Sequence, residues 1–323
     1  MKAPFSHASF HRRLAKLATG VIGCLKTHAV AEEIHGGRAV VVKTHNLLGA
    51  QIAKAANAYF KLAGISLRYC TNAADWQRWE VESFLMLNGD RFQIAHVGAK
   101  AVREDKLPGT SLWVHLTRRT LTAPMLRAAA RELRRAHGLW SAQFGGPWSH
   151  GDASMPNVLY DASSRRARLI DFELTHAPSL PPVTRHADDL LIFLLDLISV
   201  AQESKWLPFA VCFVTEYGDA AVIAELRRLM AVPEGLACIW WKVRTNFAEP
   251  AKLRRRLAAV RKAIGGLGLH RAAAPRPPKR RRPSNTCHTT SAGMPTASSR
   301  ARSTRDRARA VSPGMPRKLP TMT

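Results

Sequence analysis

Three polar side chains in the middle of the chain have the residue types that accept a proton and hold a metal ion. Asp152 has no Lys or Arg beside it in sequence, so its carboxylate is available to take a proton from a hydroxyl group. Asn157 and Asp171 offer an amide oxygen and a carboxylate, which are the hard oxygen ligands that Mg²⁺ prefers. Between them, two short apolar runs joined by a polar turn predict a hairpin that brings Asn157 close to Asp171.

The motif H-G-D-x4-N at residues 150–157, followed by I-D-F-E at 170–173, resembles the catalytic core of the protein-kinase-like phosphotransferases. The resemblance is to aminoglycoside and choline phosphotransferases and to bacterial lipopolysaccharide-core kinases, since eukaryotic-type protein kinases would have H-R-D and D-F-G. It implies that Asp152 orients and deprotonates an acceptor hydroxyl, while Asn157 and Asp171 hold Mg²⁺. His150 belongs to the same catalytic loop, where we expect it to pack and hydrogen-bond.

A lysine and an acid in the first third of the chain extend this pattern. A glycine pair followed by a β-branched run that ends at Lys43 predicts a hairpin strand. In the families that the chain resembles, such a lysine pairs with the α- and β-phosphates of ATP. A helix predicted over 75–87 places Glu80 on or beside its buried face, where an acid needs a cation, and Lys43 is the candidate. Glu82 is the alternative partner.

The elements around these residues follow from apolar spacing. Residues 46–62 have the period of a helix, and the stretch from Lys43 to Glu80 is longer than in most family members. In this it is similar to lipopolysaccharide-core kinases, where a helix-containing insertion precedes the glutamate. Residues 92–97 and 100–102 are predicted as short strands.

Two further stretches resemble parts of an ATP site. Residues 107–112 are similar to the segment that crosses between the lobes, whose backbone binds adenine. Residues 20–23 contain two glycines that could form a reduced phosphate-covering loop or simply a turn.

An apolar segment at residues 190–198 predicts a central buried helix, because it is apolar nearly all round. In the resembling families, an Asp at the start of this helix bonds the backbone of the catalytic loop. Asp188 is the residue expected in that supporting role, and Asp189 is expected to act as a helix N-terminal charge. Residues 178–183 before them are predicted as loop.

The formal net charge of +26 is concentrated at the C-terminal end. Residues 271–323 contain 13 Lys and Arg and one acid, so they carry +12 and leave +14 on the first 270 residues. This segment has few large apolar side chains, which predicts a disordered basic tail because it cannot bury enough surface to offset its chain entropy. Such a tail could contact an anionic membrane face or nucleic acid, and the alternative is a solvated extension with no dedicated partner.

The five cysteines are scattered, without a Cys-x-x-Cys pair or a His-rich ligand spacing. This pattern favours reduced thiols and argues against a zinc site. No apolar run reaches the roughly 18 residues needed to span a bilayer. The weak apolar stretch at 17–25 is broken by glycines, and no clear signal-peptide cleavage site follows it. We therefore expect a cytoplasmic protein, with peripheral contact at the inner face of the membrane left open.

Together these features predict an α+β, bilobal protein-kinase-like fold. It would have a small β-rich N-terminal lobe over residues 1–105, a mostly helical C-terminal lobe over 106–270, and the basic tail over 271–323. The resemblance implies an ATP- and Mg²⁺-dependent kinase that moves the γ-phosphoryl group to a hydroxyl of a small molecule or sugar, aminoglycoside-like or from a lipopolysaccharide core. The alternatives are a protein Ser/Thr kinase, a catalytically weak kinase-fold binding protein and a nucleic-acid-binding protein. The last is disfavoured because the chain lacks an interleaved aromatic–basic motif.

Overall fold

The computed structural model describes residues 28–266. Its strands are β1 (His28–His35), β2 (Arg38–His45), β3 (Leu67–Tyr69), β4 (Ile94–Val97), β5 (Ala101–Asp105), β6 (Thr110–Ser111), β7 (Trp140–Ser141), β8 (Gly146–Pro147), β9 (Val158–Asp161), β10 (Arg166–Leu169) and β11 (Leu174–His176). Its α-helices are α1 (Leu47–Leu62), α2 (Ala73–Asn88), α3 (Leu112–Thr117), α4 (Ala123–His137), α5 (Pro182–Val200), α6 (Trp206–Tyr217), α7 (Ala220–Leu229), α8 (Ala237–Arg244) and α9 (Pro250–Ala263). Short 3₁₀ turns span Met155–Asn157 and Ile264–Gly266.

An antiparallel sheet with the strand order β1-β2-β5-β4 forms the N-terminal part of the fold. β1 and β2 make the hairpin that the glycine pair predicted. β2 lies between two strands, and Val40 and Lys43, which alternation places on opposite faces, are both buried. Helix α2 places Trp76 and Glu80 on the side of the sheet that holds Lys43. The sheet and α2 therefore enclose the ion pair of Lys43 and Glu80.

The segment between Lys43 and Glu80 forms a separate small cluster. Asn46 caps α1, because its side-chain oxygen accepts the N–H of Gly49 at 2.5 Å. After this helix, β3 pairs with β11 instead of joining the four-stranded sheet. Phe60, Leu67 and Leu174 are buried together at this junction. The predicted insertion thus packs on the strand that follows the I-D-F-E motif.

Helix α5 is the centre of the C-terminal part. Its residues 190–198 are all buried, as their apolar pattern predicted, and the helix packs against α6, α7 and α9. The loop predicted over residues 178–183 is too long by two residues, since α5 begins at Pro182. Proline is well suited to the first position of a helix, where its missing N–H would have no helical partner.

The β-rich N-terminal region and the helical C-terminal region confirm the predicted α+β architecture. The phosphate-covering loop considered at residues 20–23 and the tail at 271–323 lie outside the described residues. Within residues 28–266, no helix combines the length and the apolar character that crossing a membrane requires.

Candidate active site

The predicted hairpin is present and brings the two proposed metal ligands to one place. β9 and β10 pair antiparallel, with Leu169 opposite Val158. One residue further on, the N–H of Ile170 donates to the carbonyl of Asn157 at 3.0 Å. Asn157 therefore lies beside the residue that precedes Asp171. The pairing register of the hairpin alone fixes this proximity, because Asn157 directly precedes β9 and Asp171 lies two residues after the end of β10.

The amide of Asn157 is held against Asp152. Its Nδ2 donates to the backbone carbonyl and to the carboxylate Oδ2 of Asp152, both at 3.0 Å. Because the nitrogen points at Asp152, the amide oxygen faces the other way. Asn157 thus fixes the orientation of the proposed base while presenting its own oxygen elsewhere, as a metal ligand would.

The environment of Asp152 suits a proton acceptor. The side chain is half-buried, and burial raises the pKa of Asp152 above its ordinary value, although the charge of Arg244 opposes this shift. A carboxylate with a raised pKa binds a proton more readily, which makes it a better general base.

Asp171 lies in an unusual backbone conformation, with φ at 66° in the left-handed region. This region costs energy for a residue with a Cβ, on the order of 1–3 kcal/mol, and such strain is concentrated at functional sites. Burial and the neighbouring charge of Glu173 raise the pKa of Asp171 well above its ordinary value. A cation beside this carboxylate would offset the repulsion and favour the ionised form.

Lys43 pairs with Glu80 and not with Glu82. Glu80 is fully buried and its Oε1 accepts from Nζ of Lys43, whereas Glu82 is exposed. Glu80 also accepts the backbone N–H of Phe172 through Oε2 at 3.3 Å. Burial lowers the pKa of Lys43, but the charges of Glu80 and Glu104 outweigh it, so the net shift is upward and Lys43 stays protonated. Glu80 thereby links the lysine of β2 to the backbone beside Asp171.

Glu104 is a second acid beside Lys43, and the sequence analysis did not predict this contact. Oε1 of Glu104 lies 3.1 Å from Nζ of Lys43. The strand predicted over 100–102 continues in the structure to Asp105, so alternation places Glu104 on the same face as the buried Val102. Extending the strand by three residues would have indicated this acid.

The assignment of Asp188 as the support of the catalytic loop was wrong. Asp189 has that role, since its carboxylate accepts the N–H of His150 through Oδ2 and that of Gly151 through Oδ1, both at 2.8 Å. Asp188 instead pairs with Arg244 and His176 at 3.2 Å. The two acids are adjacent on α5 and therefore lie about 100° apart around its axis, so only one of them can face the loop.

The backbone at position 151 requires a glycine. Its φ is +88°, and a Cβ at this position would lie 2.5 Å from the backbone oxygen of Leu174. The glycine of the H-G-D motif thus lets the catalytic loop pass closely over β11 while Asp189 holds its N–H group. This close approach sets the position of the following Asp152.

We expect Asp189→Ala to destabilise the fold more than Asp188→Ala does. Asp189 is fully buried, and its removal would leave two backbone N–H groups and His137 without their acceptor, at a cost of about 3 kcal/mol or more. The side chain of Asp188 is 20% exposed, so water can replace part of what is lost. Urea unfolding of both variants measures the difference. An equal or larger loss for Asp188→Ala would contradict the assignment.

His150 has a structural position, as the sequence predicted. It is fully buried, its Nε2 lies 3.1 Å from the carbonyl oxygen of Ile170, and its Nδ1 accepts the N–H of Asp152 at 3.3 Å. Burial lowers the pKa of His150, so the ring is neutral and donates through Nε2. The ring therefore ties the catalytic loop to the end of the hairpin.

A cavity of about 480 Å³ lies between the N-terminal sheet and the hairpin, within the range of about 300–1,000 Å³ typical of small-molecule sites. Val41, Leu107 and Leu159 supply apolar walls, and Lys43 and Asp171 lie at its lining as charged groups. An apolar slot with charged groups on its wall suits a flat base attached to phosphates. The 107–112 segment that resembles the lobe crossing does border this cavity.

The donor set also fits Mg²⁺. Asn157 has an amide oxygen turned away from Asp152, and Asp171 has a carboxylate that burial and like charge make receptive to a cation. Within the described residues, no group of three or more His, Cys, Asp or Glu side chains forms a metal site. Two protein ligands are typical of Mg²⁺, which completes its shell with phosphate oxygens and water.

One feature of the site has no counterpart in the sequence motifs. Nδ1 of His28, at the start of β1, lies 2.7 Å from Oε2 of Glu173, and both side chains line the cavity. These residues are 145 positions apart. No local pattern predicts such a contact.

No model of a known protein family matches the chain, and no curated protein is significantly similar to it in sequence. Similar solved structures include Rv3197 of Mycobacterium tuberculosis in complex with erythromycin, with 15% identity over 75% of this chain and 71% of that one, at a TM-score of 0.34. An aminoglycoside-3'-phosphotransferase of type VIII has 16% identity over 73% and 99% of the two chains, at 0.37. The ethanolamine kinase of Plasmodium vivax has 8% identity over 76% and 84%, at 0.36. Because these identities and scores are low, the function proposed below rests on the chain's own site.

Proposed function

We propose that this protein is a kinase that transfers the γ-phosphoryl group of ATP to a hydroxyl group, with Mg²⁺ as cofactor, and that it has a protein-kinase-like fold. The observation that carries the proposal is the bridge made by Glu80, which joins Lys43 to the backbone of Phe172, next to Asp171. Such a bridge puts a cation for phosphates and a carboxylate for metal on the wall of one cavity.

The residues divide the work as follows. Asp152, held by the amide of Asn157, accepts the proton of the acceptor hydroxyl as the acceptor oxygen bonds to the γ-phosphorus. The bond from that phosphorus to the β,γ-bridging oxygen breaks, and ADP leaves with the oxygen. Lys43 neutralises phosphate charge, and Glu80 keeps the lysine in place. Mg²⁺, held by Asn157 and Asp171, would supply further positive charge for the phosphates.

The acceptor we propose is a small molecule or a sugar, either aminoglycoside-like or from a lipopolysaccharide core. The support is the resemblance of the motifs, since Gly151 in H-G-D and Glu173 in D-F-E match the small-molecule phosphotransferases, whereas protein kinases would have H-R-D and D-F-G. A protein Ser/Thr hydroxyl is the second candidate acceptor. A binding protein without turnover is disfavoured by the joint presence of Asp152, Asn157 and Asp171 around one site.

The division into lobes is proposed at residue 105, where β5 ends. The crossing segment 107–112 follows and contains β6, which pairs with β9 of the hairpin. The boundary at residue 270 and the disorder of the tail stay predictions from composition, as does contact of the tail with an anionic membrane. Specific binding of nucleic acid is not proposed.

The test is turnover of purified full-length protein with ATP and Mg²⁺. ADP release is measured against a panel of sugars, aminoglycosides, lipopolysaccharide cores and a Ser/Thr peptide, and products are identified by mass spectrometry. Phosphorylation of a sugar or aminoglycoside supports the proposal, and phosphorylation of the peptide alone would favour the protein kinase. ATP binding without any turnover would favour the binding protein, and absence of ATP binding would reject the proposal.

A further inference from the structure

Lys43 lies between two carboxylates, and the two are held very differently. Glu80 reaches it from helix α2 and Glu104 from the neighbouring strand β5. A single lysine needs only one acid for neutralisation, so the second places excess negative charge on the wall of the cavity. The structure indicates which of the two acids is fixed.

Glu80 uses both of its oxygens. It is 0% exposed, Oε1 accepts from Lys43, and Oε2 accepts the N–H of Phe172 at 3.3 Å. Removing Lys43 from Glu80 would leave a buried charge with one neutral donor, which is costly. Glu80 is therefore the permanent partner of the lysine.

Glu104 is held by one contact. Its Oε1 lies 3.1 Å from Nζ of Lys43, while its Oε2 is buried and has no hydrogen-bond partner within the described part of the chain. Burial raises the pKa of Glu104 to about 7, with the charge of Glu80 adding to the shift and that of Lys43 opposing it. The ionised form of this acid is thus poorly stabilised, although the residue is only 5% exposed and lines the cavity.

We propose that Glu104 is an internal competitor for the nucleotide phosphates: its carboxylate occupies Lys43 in the nucleotide-free protein and gives the lysine up when phosphate binds. The inference rests on the proposed function, because it takes the cavity to be the nucleotide site. A carboxylate oxygen and a phosphate oxygen are both anionic acceptors, so they bind the same ammonium group in alternative arrangements.

The competition should lower the affinity of the protein for the nucleotide. While Glu104 is charged, phosphates entering beside Lys43 meet a like charge, and the lysine must leave one anionic partner to meet another. Glu80 cannot yield in its place, since it also holds the backbone of Phe172. Glu104 therefore lowers nucleotide affinity, whereas Glu80 raises it.

The test compares Glu104→Gln with Glu80→Gln in the full-length protein, using calorimetry with ATP and, separately, with adenosine, which has no phosphates. We expect Glu104→Gln to bind ATP about tenfold more tightly than wild type and to bind adenosine unchanged. Glu80→Gln should bind ATP more weakly. A second variant, Glu104→Met, keeps a buried side chain of similar length. It should also bind ATP more tightly and adenosine with unchanged affinity.

The matched control is Glu32→Gln. Glu32 also lines the cavity, so its replacement removes the same charge, but it pairs with Lys106 at 2.6 Å and not with Lys43. Equal tightening by Glu32→Gln, equal tightening for adenosine, or unchanged ATP affinity in both Glu104 variants would overturn the inference while leaving the proposed function intact. Failure of the wild type and of all variants to bind ATP would overturn the proposed function and the inference with it.

Discussion

Replacing Asp152 by Asn should lower phosphoryl transfer about 10²–10⁴-fold and leave ATP binding nearly unchanged. The physical reason is that an amide cannot take the proton of the acceptor hydroxyl. In the wild type, Nδ2 of Asn157 donates to Oδ2 of Asp152. The amide oxygen of the variant can accept the same hydrogen bond, so the loop should keep its conformation. Single-turnover transfer and ATP calorimetry on the same preparation separate the two effects.

Asp90 offers a control for this change, because its side chain is 70% exposed and pairs with the adjacent Arg91 at the surface. Asp90→Asn should transfer phosphate at the wild-type rate. Full turnover in Asp152→Asn would show that this carboxylate is not the base. A loss of ATP binding equal to the loss of transfer would mean that Asp152 supports the nucleotide site instead.

Asp171→Asn should remove most of the benefit that Mg²⁺ gives to ATP binding, about tenfold or more in affinity. The substitution deletes the only charged ligand of the proposed metal pair. Asn is preferred to Ala for the test because Asp171 has a left-handed backbone, with φ at 66°, which Asn tolerates well. Calorimetry of ATP with Mg²⁺ and with a chelator gives the affinity ratio directly.

The same ratio in Asp171→Asn and in wild type would reject the metal role of this residue. Asn157→Ala provides the complementary measurement. It should lower both the Mg²⁺ benefit and the transfer rate, since Asn157 is proposed to hold the metal and also orients Asp152. A variant that changes only the transfer rate would restrict Asn157 to orienting the base.

Much of the site could be predicted from local sequence. The hairpin β9–β10 follows from two apolar runs around a polar turn, and its register alone brings Asn157 to the residue before Asp171. The strand that ends near Lys43 follows from a glycine pair and a β-branched run. In each case the deciding interactions lie within a few residues, where spacing and side-chain type carry the information.

Local sequence only partly predicts that Lys43 pairs with Glu80 and not with Glu82. Helical spacing put Glu80 on or beside the buried face of α2, but the partner lies 37 residues earlier, on another element. The structure adds the contact to the backbone of Phe172, 92 residues later, which no period in the sequence indicates. That contact makes Glu80 the fixed acid of the pair.

Tertiary structure decided the roles of Asp188 and Asp189 and the partner of Glu104. Adjacent residues on a helix point about 100° apart, so the way α5 packs decides which acid meets the catalytic loop. Glu104 reaches Lys43 only because β5 pairs with β2 in one register and continues to Asp105. Sequence determined which acids exist and on which faces they could lie. The packing of one helix and the register of one strand pair, both set by long-range contacts, determined which of those acids meet the proposed catalytic groups.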